Sequence, residues 1–546
     1  MEHNQIFSRL SPKQQEICMH DKGFAIVLAG PGSGKTTVTV ARICRLAEIY
    51  KQPEKILCQT FTVAAANEMK KRYMQYQTGK MPHFATTHSF CYGILQKIAA
   101  TKDISYTVID EQAAEKQLRS IYERINNQKV DDTISYNILS AISKSRHENG
   151  LMATQIKNFG DILSAYEKYK NKNNLIDFDD MIFTTKKILE EDHKIRKKIA
   201  DKYEYVLLDE AQDMTEIQFE IIRLVAPHEN IFVVADDDQS IYGFRGASPK
   251  NLMNFTEKFK NGKKYYLERN YRSTNNIVNL SSTIININKE RYEKKLFTEN
   301  TDKGRIEILA FKDSIEQARY ICDEYKKQNG TTAVLYRNNS SAMILKACMA
   351  LQKIEYAGAK GTIKTYELPL ITKYLEKMRE KQRKARFIIP TPKKAFKEML
   401  KEGFEEYAEN YSQITGQMKR YKNQTLSFLQ YISKECRTLG EITGILDRID
   451  SEKTQKNCRM SLSTVHASKG LEYDNVFLID MVYDEFPGQN VSSPGQLEEE
   501  RRLFYVAITR AKKNLTICYP QRRFNTEEKQ SIFVDECKAI CEQSGR

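Results

Sequence analysis

The chain has 546 residues, 40% hydrophobic and 29% charged, a globular composition with room for about three to four domains of ~100–200 residues. Lys and Arg number 86 against 71 Asp and Glu, and the formal charge of +15 points to a polyanionic partner, nucleic acid ahead of an anionic membrane. Apolar runs such as Phe24–Ala29 are too short for a membrane span, MEHNQIFSRL is no secretory leader, and eleven cysteines lack any CxxC, so a cytoplasmic chain with reduced thiols and no membrane partner is expected.

Short apolar runs, each followed at once by turn residues and a helical pattern, recur along the first half. FAIVLAGPGSGKTTVTVARICRL, KILCQTFTVAAANEMKKR, YVLLDEAQD and IFVVADDDQSIYG all read this way. Strands alternating with helices predict a parallel sheet with ligands at the carboxyl ends of its strands. Residues 101–175, for example DEQAAEKQLRSIYERI, are charged and helical in pattern and interrupt this set. RIEILAF, TTAVLYRN, NVFLID and NLTICYP predict a second α/β unit, interrupted in turn by a helical stretch at 368–450. Within it, residues 371–400 hold ten Lys and Arg against three Glu, a net +7. By itself such a run is a solvated helix face.

Ala29-Gly-Pro-Gly-Ser-Gly-Lys35-Thr36 follows a buried-type strand and opens a helix. Backbone N–H groups of Gly30, Gly32, Ser33 and Gly34 can cradle phosphates, Lys35 can reach the β and γ oxygens, and Thr36, with Thr37 beside it, can help hold Mg²⁺. Leu207-Leu208-Asp209-Glu210 is a second apolar strand ending in two carboxylates. One on Mg²⁺ (Asp209) and one polarising water (Glu210) is the arrangement NTP hydrolysis needs. The loop is a strong signal for NTP binding that says little about what the energy drives, the carboxylate pair alone is unspecific, and together they predict Mg²⁺-dependent NTP hydrolysis.

In order along the chain, these motifs and those that follow resemble superfamily 1 DNA helicases of the UvrD/Rep/PcrA type. Leu10-Ser-Pro-Lys-Gln14 is similar to the Q motif, which implies that Gln14 reads the adenine edge. Gln239, in Ala235-Asp-Asp-Asp-Gln-Ser-Ile-Tyr-Gly-Phe-Arg-Gly246, matches the γ-phosphate sensor. Leu267-Glu-Arg-Asn-Tyr-Arg-Ser273 implies that Tyr271 stacks on adenine and that Arg272 stabilises transition-state charge. Thr464-Val-His-Ala-Ser-Lys-Gly-Leu-Glu472 places Glu472 at the ribose, and Glu498–Ala511 makes Arg510 a second arginine finger. On this resemblance Lys35, Arg272 and Arg510 would act on one γ-phosphate.

The same resemblance implies a track for single-stranded DNA. Phe61 and Thr62 lie in a motif Ia-like segment, Thr86 and His88 in a motif Ib-like one, and Phe178 in Asp177-Phe-Asp-Asp-Met181. Tyr242, Phe244 and Arg245 follow Gln239, and His466 lies in the motif V-like segment. Base–aromatic stacking tolerates any sequence, as a stepping motor requires. Without the resemblance, Phe61 and Phe178 would read as core. The implied fold is α/β, two RecA-like P-loop domains with helical insertions. Domain 1A covers 1–100 and 176–270, insertion 1B 101–175, domain 2A 271–367 and 451–546, and a reduced 2B-like insertion 368–450. Translocation would run 3′→5′, on single strands and at single-strand/duplex junctions.

Three departures stand out. Phe244 occupies a place where the family usually has Trp, and the chain has no Trp. The 368–450 stretch is too short for a full 2B domain. Arg522–Gln530 is shorter than a strand-splitting pin, and about 35 residues after the last motif leave no room for a nuclease domain of the helicase–nuclease kind. A second reading follows: a DNA-responsive ATPase subunit that gates a separate nuclease or other DNA-processing protein, docked through 371–400, as in an anti-phage complex. A small-molecule P-loop kinase would leave Gln239, Arg272, Arg510 and the aromatic track without a task.

Overall fold

The computed structural model describes residues 6–101, 105–128, 132–147, 156–358, 365–385, 389–414, 419–451, 458–489 and 491–543. The chain divides into two units, Met1–Arg269 with Glu290–Lys295, and Asn270–Lys289 with Leu296–Arg546.

The first unit is built on a six-stranded sheet in the order His83–Thr86, Ile56–Thr60, Tyr205–Leu208, Ile231–Ala235, Ala25–Ala29, Lys263–Leu267. Every pairing in it is parallel. Three of its inner strands, Tyr205–Leu208, Ile231–Ala235 and Ala25–Ala29, are buried along their whole length because helices cover both faces. Strand periodicity then divides the core in two. Ala25, Val27 and Ala29 pack towards Pro12–Cys18 and Lys35–Tyr50, while Ile26 and Leu28 pack towards Thr87–Ala100, Phe178–Glu191 and Glu216–Val225. The 101–175 insertion closes a small core of its own, with Leu118, Ile121, Ile138, Ile142, Ile162 and Tyr166 buried between three helices.

The second unit repeats the plan. Ala357–Gly358, Met460–Thr464, Thr332–Tyr336, Tyr473–Leu478, Ala511–Pro520 and Arg305–Phe311 form its sheet in that order, again all parallel. Five helices between Pro369 and Asp450 add their apolar faces to the core that lies on this sheet. Leu370, Tyr374, Phe396, Phe428, Ile432 and Ile445 belong to the same contiguous cluster as Val334, Leu462 and Phe477. Both units are α/β with parallel sheets flanked by helices, the two RecA-like domains expected. Arg386, counted within the basic stretch, lies outside the described residues. Glu290–Lys295, expected within 271–367, packs with the first unit.

Candidate nucleotide and nucleic-acid site

The phosphate loop lies at the carboxyl end of Ala25–Ala29, between two strands that end in chemistry. Leu28 pairs with Ala235, so Asp236 follows directly beside the loop. The Gly30 N–H donates to Leu267 O (2.9 Å), and the Ser33 hydroxyl donates to Gly30 O (2.8 Å), which folds the loop back on itself. Gly34 is left-handed (φ 85°) and starts the sixteen-residue helix Lys35–Tyr50, whose free N–H groups form an anion site. A Cβ on Gly34 would come 2.7 Å from Gln14 Nε2. Gln14 accepts the Ser11 N–H (3.0 Å) in a capping box and donates to Ser33 O (3.0 Å), so its amide is engaged on the loop. Lys35 Nζ lies 3.4 Å from Gly30 O and 3.6 Å from Asp236 Oδ2. Thr36 and Thr37 are half-buried in the first turn of the helix.

Asp209 and Glu210 follow Tyr205–Leu208, two strands over from Ala25–Ala29. Glu210 takes a left-handed backbone (φ 51°), a strained conformation for a residue with a side chain, and one that clusters at functional sites. It accepts from Gln212 Nε2 (2.6 Å), and Gln212 Oε1 in turn accepts the Asp236 N–H (3.0 Å). Asp209 is buried, and its Oδ1 has no hydrogen-bond partner. Burial, and then the Glu210 charge, push its carboxyl up to about 7, with Lys35 opposing. An orphaned buried carboxylate oxygen beside a phosphate loop suits a divalent cation, so Asp209 and Thr36 fit Mg²⁺. Gln239 is buried and donates to Asp236 Oδ2 (2.7 Å).

The nucleic-acid candidates begin one strand over. Gln59 pairs with Leu208, and the Asp209 N–H donates to Gln59 O (2.9 Å). Thr60, Phe61, Thr87 and His88 consequently line the same cleft as Gln59 and Asp209. Phe61 stacks on Tyr242 (4.7 Å, 24°), and Phe244 meets Tyr242 edge-on (5.9 Å). The Arg245 guanidinium lies 5.8 Å from the Tyr242 ring and 5.6 Å from the Phe244 ring. His88 meets Phe178 edge-on (5.8 Å), and Phe178 and Phe244 are exposed. Burial holds the His88 imidazole below its ordinary pKa, with Asp179 opposing and Arg245 assisting. Thr62 and Thr86 are N-caps of the helices Val63–Met74 and Thr87–Ala100. Their hydroxyls serve the helix ends, whose N–H groups face outward as anion donors.

In the second unit, Arg272 Nε lies 2.7 Å from Glu472 Oε2, and its Nη1 donates to Thr509 O (3.1 Å). Burial alone would raise the Glu472 carboxyl; Lys512 and Arg272 outweigh it and hold its pKa below the ordinary value. Tyr271 is exposed beside Arg272. Arg510 is buried, its donors on Val506 O (2.9 Å), Leu471 O (2.9 Å) and Thr509 Oγ1 (3.1 Å). His466 is half-buried in a turn just after Met460–Thr464.

Gln59, Gln212 and Asp236 were not singled out by sequence. Each sits within or next to a recognised motif, but its burial and partners are long-range facts.

Residues 10–260 match the UvrD/REP helicase N-terminal domain, and residues 265–428 and 371–522 match the UvrD-like helicase C-terminal domain. The ATP-dependent DNA helicase PcrA of Staphylococcus epidermidis is 27% identical over 613 aligned positions, covering 94% of this chain and 84% of its own length. PcrA of Staphylococcus aureus MRSA252 is 27% identical over 620 positions, covering 95% and 84%.

Proposed function

The chain belongs to the UvrD/PcrA type of superfamily 1A helicases, and from that premise we propose that it is a DNA-stimulated ATPase that steps 3′→5′ along single-stranded DNA and opens single-strand/duplex junctions. The observation that carries the reading is the shared cleft. Asp209, of the nucleotide site, and Phe61 and His88, of the aromatic track, line one space, and the Asp209 N–H is bonded to the strand that leads into Phe61.

Lys35 would exchange Asp236 for the phosphate, and Gln239 would follow when the γ-phosphate is present. Glu210 would orient the attacking water and take its proton. Asp209 and Thr36 would hold Mg²⁺, which supplies positive charge on the phosphate oxygens when bound. Gln14 and Tyr271 would hold the adenine, Glu472 the ribose, and Arg272 and Arg510 would add charge as the γ-phosphate leaves. Thr62, Thr86, His88, Arg245 and His466 would hold the strand's backbone, with bases on Phe61, Phe178, Tyr242 and Phe244. Among the described residues no helix is long and apolar enough to cross a membrane.

ATP-dependent strand displacement on 3′-tailed and 5′-tailed duplexes, with ATPase measured with and without single-stranded DNA, tests this. Displacement from the 3′ tail alone is expected. DNA-stimulated ATPase without displacement would instead support the gating-subunit reading with a separate nuclease, which would dock through the basic stretch 371–400, where Arg379, Arg383, Lys384, Lys393, Lys394 and Lys397 are exposed.

A further inference from the structure

The chain leaves the first unit after Arg269 and returns to it for only six residues, Glu290–Lys295. Those residues carry a compact set of charges. Lys294 is buried, its Nζ 2.9 Å from Asp236 Oδ1, 2.6 Å from Asp237 Oδ1 and 2.8 Å from Asp238 Oδ2. Arg291 grips Asp238 with two parallel bonds of 2.8 Å, and the Tyr292 N–H donates to Asp237 Oδ2 (2.7 Å). The three carboxylates lie within 4.8 Å of one another, a spacing that would suit a metal ion. Here their charge is answered by an ammonium and a guanidinium.

Asp236 faces two ways. One oxygen is on Lys294, and the other accepts from Gln239 and lies 3.6 Å from Lys35. Both groups on the second oxygen are needed at the phosphate. When they leave Asp236, it depends on Lys294 for compensation, because a buried carboxylate without a cation is strongly disfavoured. Without Lys294, Asp236 would compete with the phosphate for Lys35.

We infer that Lys294 is a positioning residue of the nucleotide site: by neutralising Asp236 it frees Lys35 and Gln239 for the γ-phosphate. The inference rests on the ATPase reading above. The segment is covalently joined at both ends to the second unit, so anything that unseats it withdraws this charge from Asp236.

The test uses the full chain with Lys294→Met, Lys294→Arg and the double variant Lys294→Met/Asp236→Asn, which removes the carboxylate that Lys294 neutralises. ATP turnover is measured with oligo(dT), together with the melting temperature and nucleotide-free oligo(dT) binding. Lys294→Met is expected to raise KM for ATP about tenfold or more, with oligo(dT) affinity within about twofold of the wild type. Lys294→Arg should recover most of the loss. The double variant, which restores the charge count, should return KM to within about threefold of the wild type. A purely structural pin would not respond to charge balance. An unchanged KM in Lys294→Met overturns the inference. So does a double variant that melts like the wild type yet keeps a KM raised about tenfold, a comparison that decides the matter even if Lys294→Met does not fold. Wild-type protein with no ATPase would overturn the ATPase reading instead, before any variant is made.

Discussion

Replacing Phe244 by alanine removes a ring that is 48% exposed, touching Tyr242 edge-on at 5.9 Å and the Arg245 guanidinium at 5.6 Å. Half burial makes its contribution to folding about half that of a core phenylalanine, on the order of 1 kcal/mol. A base stacked on it is worth ~1–3 kcal/mol, which converts to about 5- to 150-fold in single-strand affinity. The expected result is a large loss at the DNA and a small one in the fold. Anisotropy titration of labelled oligo(dT) gives the first number, and ATPase as a function of oligo(dT) gives the half-saturating concentration. Basal ATP turnover should fall far less than the stimulated rate. Phe244→Trp should tighten oligo(dT) binding, because it enlarges the stacking face without a new charge. Equal loss of basal and stimulated turnover, with a lowered melting temperature, would falsify the assignment and make Phe244 a packing residue.

Lys35→Ala and Glu210→Gln should each lower ATP turnover by about 10²-fold or more, with nucleotide-free oligo(dT) affinity within about threefold of the wild type; undiminished turnover in either sinks the site. Gly34→Ala forces a side chain into a left-handed backbone and puts its Cβ 2.7 Å from Gln14 Nε2. At ~1–3 kcal/mol of strain, calorimetry should show ATP binding weakened about 5- to 150-fold, and unchanged binding would refute the loop geometry. Asp209, pushed up to about 7 by burial and by Glu210, must lose its proton to hold Mg²⁺. Apparent Mg²⁺ affinity in the presence of a non-hydrolysable ATP analogue should therefore rise by about tenfold per pH unit and level off above about pH 7. In metal-free protein the same raised value favours the folded state below about pH 4 and loses that contribution as pH climbs through about 7, so Asp209→Asn should melt progressively higher than the wild type over that range. A pH-independent difference between the two would contradict the shift.

The nucleotide loop was legible because three signals coincide in one stretch: a buried strand, glycines at a turn that needs a left-handed residue, and a helix start. Asp209 and Glu210 were legible as a strand end. The aromatic track was not. Phe61 and Tyr242 have no local signature, and only the ordered motifs assigned them to DNA. Asp236–Asp238 read locally as an acidic turn, because the cations that bury them are carried by Arg291 and Lys294, more than fifty residues further along. Thr62 and Thr86, placed in the DNA track by the resemblance, are also the N-caps of their helices. A capping hydroxyl and an anion-binding helix start occur at the same place, so sequence alone could not separate them.

The two helical insertions differ in a way that periodicity could not reveal, because a helical apolar stripe does not say what covers it. The first encloses its own core and is tied to the start of the helix Phe178–Glu191 by ion pairs: Arg146 to Asp177 (3.2 Å), and Lys170 to Asp177 (2.6 Å) and Asp180 (2.7 Å). Those pairs fix the turn that presents Phe178. The second shares the core of the second unit's sheet, and its polar groups reach the end of that sheet. Gln424 meets Ser341 and Glu485, and Asn423 donates to Thr526 Oγ1 (3.0 Å). Thr526 belongs to the short hairpin whose other strand carries Arg523, buried against Asp480 (2.9 Å) and Glu485 (3.4 Å), while Phe524 packs on the common core. Withdrawing Arg523 would leave two buried carboxylates without their cation, at a cost of about 3–5 kcal/mol. The hairpin is therefore held down and does not project as a wedge.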